Sequence, residues 1–146
     1  MALFDVARLY GGRDKLDFGE NDDLISIWFH HAQPEEIAIA LDAAGLEQAG
    51  DDVVPKGGGG DYVLASRLVQ ASVELACLCI EDIENYDHWP EKPKHRGKHG
   101  LMILRPEVRE QIPRVVLRNV GEKLFESSRV SDAEGKPSAL SPSLDS

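Results

Sequence analysis

Apolar residues recur at three- or four-residue steps along residues 61–84, the longest run without Pro or Gly that carries a helical apolar pattern. The spacing of one helix face is followed by Leu64, Leu68, Ala71, Leu75, Cys79 and Ile83. Four more apolar residues widen that face until only a narrow polar seam remains. A helix so apolar has to be surrounded by protein, so we predict that residues 61–84 form a long central helix around which the other segments pack.

Three segments precede the first proline. Residues 2–10 place their apolar side chains on one side of a short helix, and residues 13–22 are polar and acidic, which predicts a loop. Residues 24–32 carry a helical stripe behind an aspartate that can cap it. The run Ile25–Phe29 would also suit a strand, because β-branched and aromatic residues favour strands.

Pro34 is followed by two glutamates, and this combination predicts the first turn of a helix. Gly45 is typical of a helix end. Residues 47–60 then combine a proline with five glycines and few apolar anchors. This composition predicts a flexible linker between that helix and the central one.

The C-terminal half alternates loops with short apolar segments. Residues 86–100 contain prolines, glycines and basic residues, so they predict a long loop, and residues 101–104 suit a short strand or an apolar plug. Prolines begin two further helices, over 106–112 and from 113 to about 128.

These elements predict an all-α fold, a single small helical domain over residues 1–128. Residues 129–146 are dominated by Ser, Pro, Gly and Ala and have too little to bury, so we predict a disordered C-terminal tail.

Charge is divided unevenly along the chain. The net charge of −10 disfavours a general binder of nucleic acid or membrane surfaces. Residues 1–61 hold 13 acids against 4 Lys and Arg, whereas residues 92–118 hold 8 Lys and Arg against 2 acids. The start of the chain has no signal-peptide pattern and no run suggests a membrane span, so we expect a cytoplasmic protein or a component of a particle assembled in the cytoplasm.

Histidines and cysteines raise the question of a metal site. They are His30, His31, Cys77, Cys79, His88, His95 and His99. The two cysteines lie two apart in the most apolar part of the central helix, and Gly97 separates His95 from His99, so the spacing of structural zinc sites is not met. Buried cysteines and solvated histidines account for these residues, and free thiols fit a reducing compartment. No phosphate-binding or catalytic motif is present, so we expect no metal, no cofactor and no enzymatic activity.

The basic loop is the candidate partner-binding site. Its residues are Trp89, Lys92, Lys94, Arg96 and Lys98. A basic loop on a chain with acidic flanks can attract an acidic protein surface, including that of a second copy. The alternatives are a contact with a nucleic-acid backbone and a solvated loop without a partner. We favour the protein contact because the overall charge repels phosphate.

The layout has one likeness. An acidic helical domain is followed by a last amphipathic helix and the segment EKLFESSRVSDAEGKPSALSPSLDS. This layout resembles the tail assembly chaperones of long-tailed bacteriophages, small helical proteins that are thought to bind tape-measure and tail-tube proteins. The resemblance implies a non-enzymatic assembly factor that binds other proteins and associates with itself. The alternatives are a virion structural or head-tail connector protein and a nucleic-acid-binding accessory protein that uses residues 92–98.

Overall fold

Strands and helices are mixed along the chain. A computed structural model describes residues 13–87 and 89–135, without the side chains of residues 13 and 129–135. In chain order the elements are β1 (Arg13–Phe18), β2 (Ile25–His30), α1 (Pro34–Ala43), β3 (Leu46–Ala49), β4 (Asp52–Pro55), α2 (Asp61–Cys79), β5 (Ile80–Glu84), β6 (Lys94–Arg96), β7 (Met102–Leu104), α3 (Pro106–Arg109) and α4 (Arg114–Gly135). The prediction of an all-α domain is therefore wrong.

A three-stranded antiparallel sheet in the order β1-β2-β5 replaces the predicted loop at 13–22 and helix at 24–32. In β2 the side chains of Ile27 and Phe29 are buried, while Trp28 between them is only partly buried. This is the two-residue alternation of a strand with one face on the core. Leu16 of β1 pairs with Ile27 and extends the same apolar face. The strand alternative for this segment is confirmed.

The central helix is shorter than predicted because its last residues join the sheet. α2 begins at Asp61, as predicted, but it ends at Cys79, and the chain continues directly into β5. Ile80 pairs with Phe29 and Ile83 pairs with Ile27. The strand therefore buries the same apolar residues that would have continued the helix face.

The predicted linker at 47–60 contains the β3–β4 hairpin. Leu46 at its start belongs to a small cluster of buried apolar residues, and Val53 on the returning strand packs against this cluster. The backbone N–H of Lys56 donates to the carbonyl of Gly45, and the Arg67 guanidinium donates to the carbonyls of Gly45 and Lys56. The hairpin is thus attached to the end of α1 and to α2, so the flexible-linker prediction is wrong for these strands.

The second half of α2 lies at the centre of the domain. All residues from Ala71 to Cys79 are buried except Glu74, and α4 crosses this part of the helix. Gly121 of α4 approaches the carbonyl of Ser72 so closely that a Cβ atom could not fit between them. Among the described residues, α2 is the one helix long and apolar enough to cross a membrane, but burial of this half is what a core helix shows.

Predictions that rest on local signals are confirmed for the helices that begin at Pro34 and Pro106 and for α4, which begins one residue after Pro113. α4 extends to Gly135, so residues 129–135 of the predicted tail are helical. The predicted helix at 2–10 and the tail residues 136–146 lie outside the described residues.

Candidate functional site

The five residues predicted to bind a partner differ in their exposure. Trp89 is partly buried and packs against the main core. Lys94 is also partly buried, and its Nζ donates to the backbone carbonyl of Leu78 at 2.7 Å. Lys92, Arg96 and Lys98 are exposed on or beside the β6–β7 hairpin. The basic surface available to a partner is therefore smaller than the sequence implied.

We expect Lys94 to stabilise the fold. Replacing Lys94 by serine removes a charged donor from the Leu78 carbonyl, so we expect the free energy of unfolding to fall by about 1–3 kcal/mol. The matched change at exposed Lys98 should alter it by less than about 0.5 kcal/mol. Urea denaturation of the two variants measures the difference, and equal stability would place Lys94 with the exposed basic residues.

An open apolar groove of about 700 Å³ lies between α1, the β3–β4 hairpin, α2 and α4. Its walls are formed by apolar side chains from all four units: Ile37, Leu41, Val53, Ala65, Leu68, Val69 and Phe125. Leu68 is 40 % exposed although it lies on the predicted core face of α2. The apolar side chains that α2 contributes to this groove are thus left partly uncovered by the described part of the chain.

The rim of this groove is acidic. Three carboxylates line it, from Asp51, Glu122 and Glu126, against the single guanidinium of Arg118, which gives −3 + 1 = −2. Arg118 Nε donates to Glu122 at 3.0 Å, so that guanidinium is already neutralised within the rim. A segment that combines apolar and basic side chains would complement both features of the groove.

A second constellation of polar groups surrounds His30 at the end of β2. Its Nε2 lies 2.7 Å from Glu36 Oε2, and its Nδ1 lies 2.8 Å from Glu81 Oε2. The other oxygen of Glu36 accepts the Gln33 backbone N–H at 2.9 Å and lies 3.6 Å from the Cys79 sulfur. Glu36 is the third residue of α1, the position from which a glutamate can cap the helix start. One of its oxygens makes this cap, and the other contacts the imidazole.

The two carboxylates favour a positive charge between them. The hydrogen bond with Glu36 raises the pKa of His30 against the effect of burial, and Glu81 adds to the rise. Burial disfavours ionisation of Glu36, but its hydrogen bonds with His30 and Gln33 outweigh burial and lower its pKa. Burial, together with the neighbouring Glu36 carboxylate, raises the pKa of the Cys79 thiol. The two carboxylates thus stabilise the protonated form of the imidazole, and burial stabilises the neutral form of the thiol.

Lys94 belongs to the basic loop and also lies beside the His30 cluster. It lines a cavity of about 460 Å³ together with His30, Glu36 and Glu81, and Leu78, Leu101 and Met102 complete the wall. Burial lowers the pKa of Lys94. A residue predicted for partner binding thus lies in the wall of this cavity.

No spacing in the sequence indicates this cluster. His30 and Cys79 are candidate metal ligands by residue type, whereas Glu36 and Glu81 lie 6 and 51 residues from the histidine and match no ligand spacing. Cys77, His31 and His95 lie outside the group of side chains that could share an ion with His30 among the described residues. The one available signal was Glu36 as the third residue after Gln33, and it indicated only a helix cap.

No protein-family model, no curated protein and no solved structure matches this chain.

Proposed function

We infer that this protein is a non-enzymatic protein-binding factor that holds an amphipathic, basic segment of another protein in the acidic-rimmed groove. The observation that carries the proposal is the exposed apolar half of α2 at the bottom of a groove whose lining charge is −2. An apolar floor supplies affinity, and an acidic rim selects a basic partner and speeds its association.

The groove suits a helix better than an extended strand. Its walls are helix faces and a two-stranded hairpin, whose side chains present an apolar surface. An amphipathic helix places apolar residues at steps of three and four in such a groove, and its flanking Lys or Arg residues would reach the rim. The partner therefore differs from nucleic acid, which the acidic rim repels.

The test is binding of a fluorescent synthetic peptide of about 18 residues, or five helical turns, with leucines on one face and Lys and Arg beside them. We expect saturable binding at micromolar protein that weakens with added salt, because rim contacts are screened over about 8–10 Å. A scrambled peptide of the same composition, which lacks the apolar face, should bind at least about tenfold more weakly, a difference of about 1.4 kcal/mol.

A matched pair of variants separates the groove from general attraction to an acidic protein. Leu68→Asp adds a charge on the groove floor, and Val115→Asp adds the same charge on α4 at a residue that is 58 % exposed and does not line the groove. Leu68→Asp should weaken binding about tenfold or more, and Val115→Asp should not weaken it. Equal affinity of the two variants, or of the two peptides, would contradict the proposal.

The tail assembly chaperone and the head-tail connector are two specific forms of this proposal. In the first the segment belongs to a tape-measure or tail-tube protein, and in the second it belongs to a neighbouring virion protein. A second copy of the chain is a further source, as expected for self-association. Sedimentation of the protein alone, with Leu68→Asp as the comparison, identifies that case by loss of the oligomer.

A further inference from the structure

Three side chains with the donor atoms that zinc prefers converge where β2, α1 and the α2–β5 junction meet. An imidazole nitrogen of His30, a carboxylate oxygen of Glu36 and the sulfur of Cys79 all lie within 4.8 Å of one another. Nitrogen, oxygen and sulfur donors of this kind are the ligands of zinc in proteins. We propose that His30, Glu36 and Cys79 bind a zinc ion.

The carboxylate of Glu36 contacts both other donors. The Cys79 sulfur is 3.6 Å from Glu36 Oε1, and His30 Nε2 is 2.7 Å from the second oxygen, Oε2. Ligand atoms at about 2.0–2.3 Å from zinc lie roughly 3.3–3.8 Å apart, so the sulfur–oxygen separation matches a tetrahedral ion. The imidazole and the carboxylate are hydrogen-bonded without the ion and would move apart by about 0.6 Å to admit it.

Glu81 orients the histidine for this role. Its carboxylate lies 2.8 Å from His30 Nδ1, on the side of the ring opposite Glu36. When Nδ1 carries the hydrogen and donates a hydrogen bond to Glu81, Nε2 has a free lone pair on the side of Glu36 and Cys79. A carboxylate that holds the far nitrogen of a ligating histidine is a regular feature of zinc sites.

Two carboxylates lie beside the proposed ion. Glu36 would ligate it and Glu81 would accept a hydrogen bond from the ligating histidine. Zinc takes the place of the Cys79 thiol proton, so its affinity should fall as the pH is lowered.

Three protein ligands leave one coordination position for water. His30 and Glu36 both line the cavity of about 460 Å³, whose wall includes Leu101 and Met102. An ion held by these side chains would therefore lie at the wall of a space large enough for water or a small ligand. This arrangement differs from closed structural sites, which have four protein ligands.

The test uses the full chain, treated with a chelator and then titrated with Co²⁺, which replaces zinc and reports its ligands by absorption. We expect one cobalt per chain, the visible bands of a tetrahedral ion and a near-ultraviolet thiolate-to-cobalt band, all displaced by zinc. Absence of saturable binding at micromolar metal, or binding without the thiolate band, would overturn the proposal.

The two cysteines provide a matched control, because the chain contains only Cys77 and Cys79, both buried. The thiolate band should survive Cys77→Ser and disappear in Cys79→Ser. It should likewise disappear in His30→Gln and survive His31→Gln. A band that survives Cys77→Ser assigns the thiolate to Cys79 even if Cys79→Ser fails to fold, and a band lost in Cys77→Ser but kept in Cys79→Ser excludes the site.

Discussion

Replacing Gly121 by alanine is expected to lower the free energy of unfolding by about 3 kcal/mol or more, near the upper end of overpacking effects. The added methyl group would overlap the backbone carbonyl of Ser72. A side chain could rotate away, but this neighbour is the backbone of α2 in its buried half. The two central helices would have to separate along their contact.

The sign of this effect is informative because alanine in a helix interior is more favourable than glycine by about 1 kcal/mol. Propensity alone would therefore make Gly121→Ala stabilising. Urea denaturation should show the loss, and Asn119→Ala, at an exposed position of the same helix, should change stability by less than about 0.5 kcal/mol. A stabilised Gly121→Ala variant would show that α2 and α4 do not cross at this point.

Replacing Leu75 by alanine is expected to cost about 2–5 kcal/mol, the range for emptying a packed site. Leu75 is 0 % exposed and lies in the middle of the buried half of α2. It belongs to a core cluster that also contains residues of the sheet and of α4, so we expect the space left behind to remain largely open.

Leu68→Ala is the matched control for Leu75→Ala. The two leucines are seven residues apart on the same helix, but Leu68 is 40 % exposed in the groove. The same deletion there should cost about 1 kcal/mol or less, because little buried surface is lost. Equal midpoints in chemical denaturation would contradict the division of α2 into a core half and a groove half.

Helix starts could be predicted because their signals are local. Pro34 at the first turn, with Gln33 and Glu36 forming a capping box, fixes the start of α1 within four residues. Pro106 does the same for α3, and Asp61 begins α2 directly after a glycine run. These signals need no contact from distant parts of the chain.

The sheet could not be predicted because its strands depend on distant partners. Residues 13–18 contain only two apolar residues, Leu16 and Phe18, and become a strand by pairing with β2. In β5, Ile80 and Ile83 are three apart, which matches a helix face. The pairing of Trp28 with Asp82 and of Phe29 with Ile80 leaves Glu81 as an extra residue, a bulge that allows both isoleucines to reach the core.

The same bulge explains why the His30 cluster was missed. Glu81 is the extra residue of β5, so its place beside His30 depends on the end of the helix at Cys79 and on the pairing of β5 with β2. A helix predicted to continue to residue 84 does not place Glu81 in the sheet. The groove was missed for a related reason, because the pattern assigned Leu68 to the core face without a segment to cover it.

The most direct test of the protein-binding proposal is hydrogen exchange of the protein with and without the amphipathic basic peptide. The account predicts slower exchange in the parts of α1, α2 and α4 that line the groove, residues 37–41, 65–72 and 118–126. The Leu68→Asp variant should lose this protection. Protection confined to the basic hairpin at 92–98, or none at saturating peptide, would contradict it.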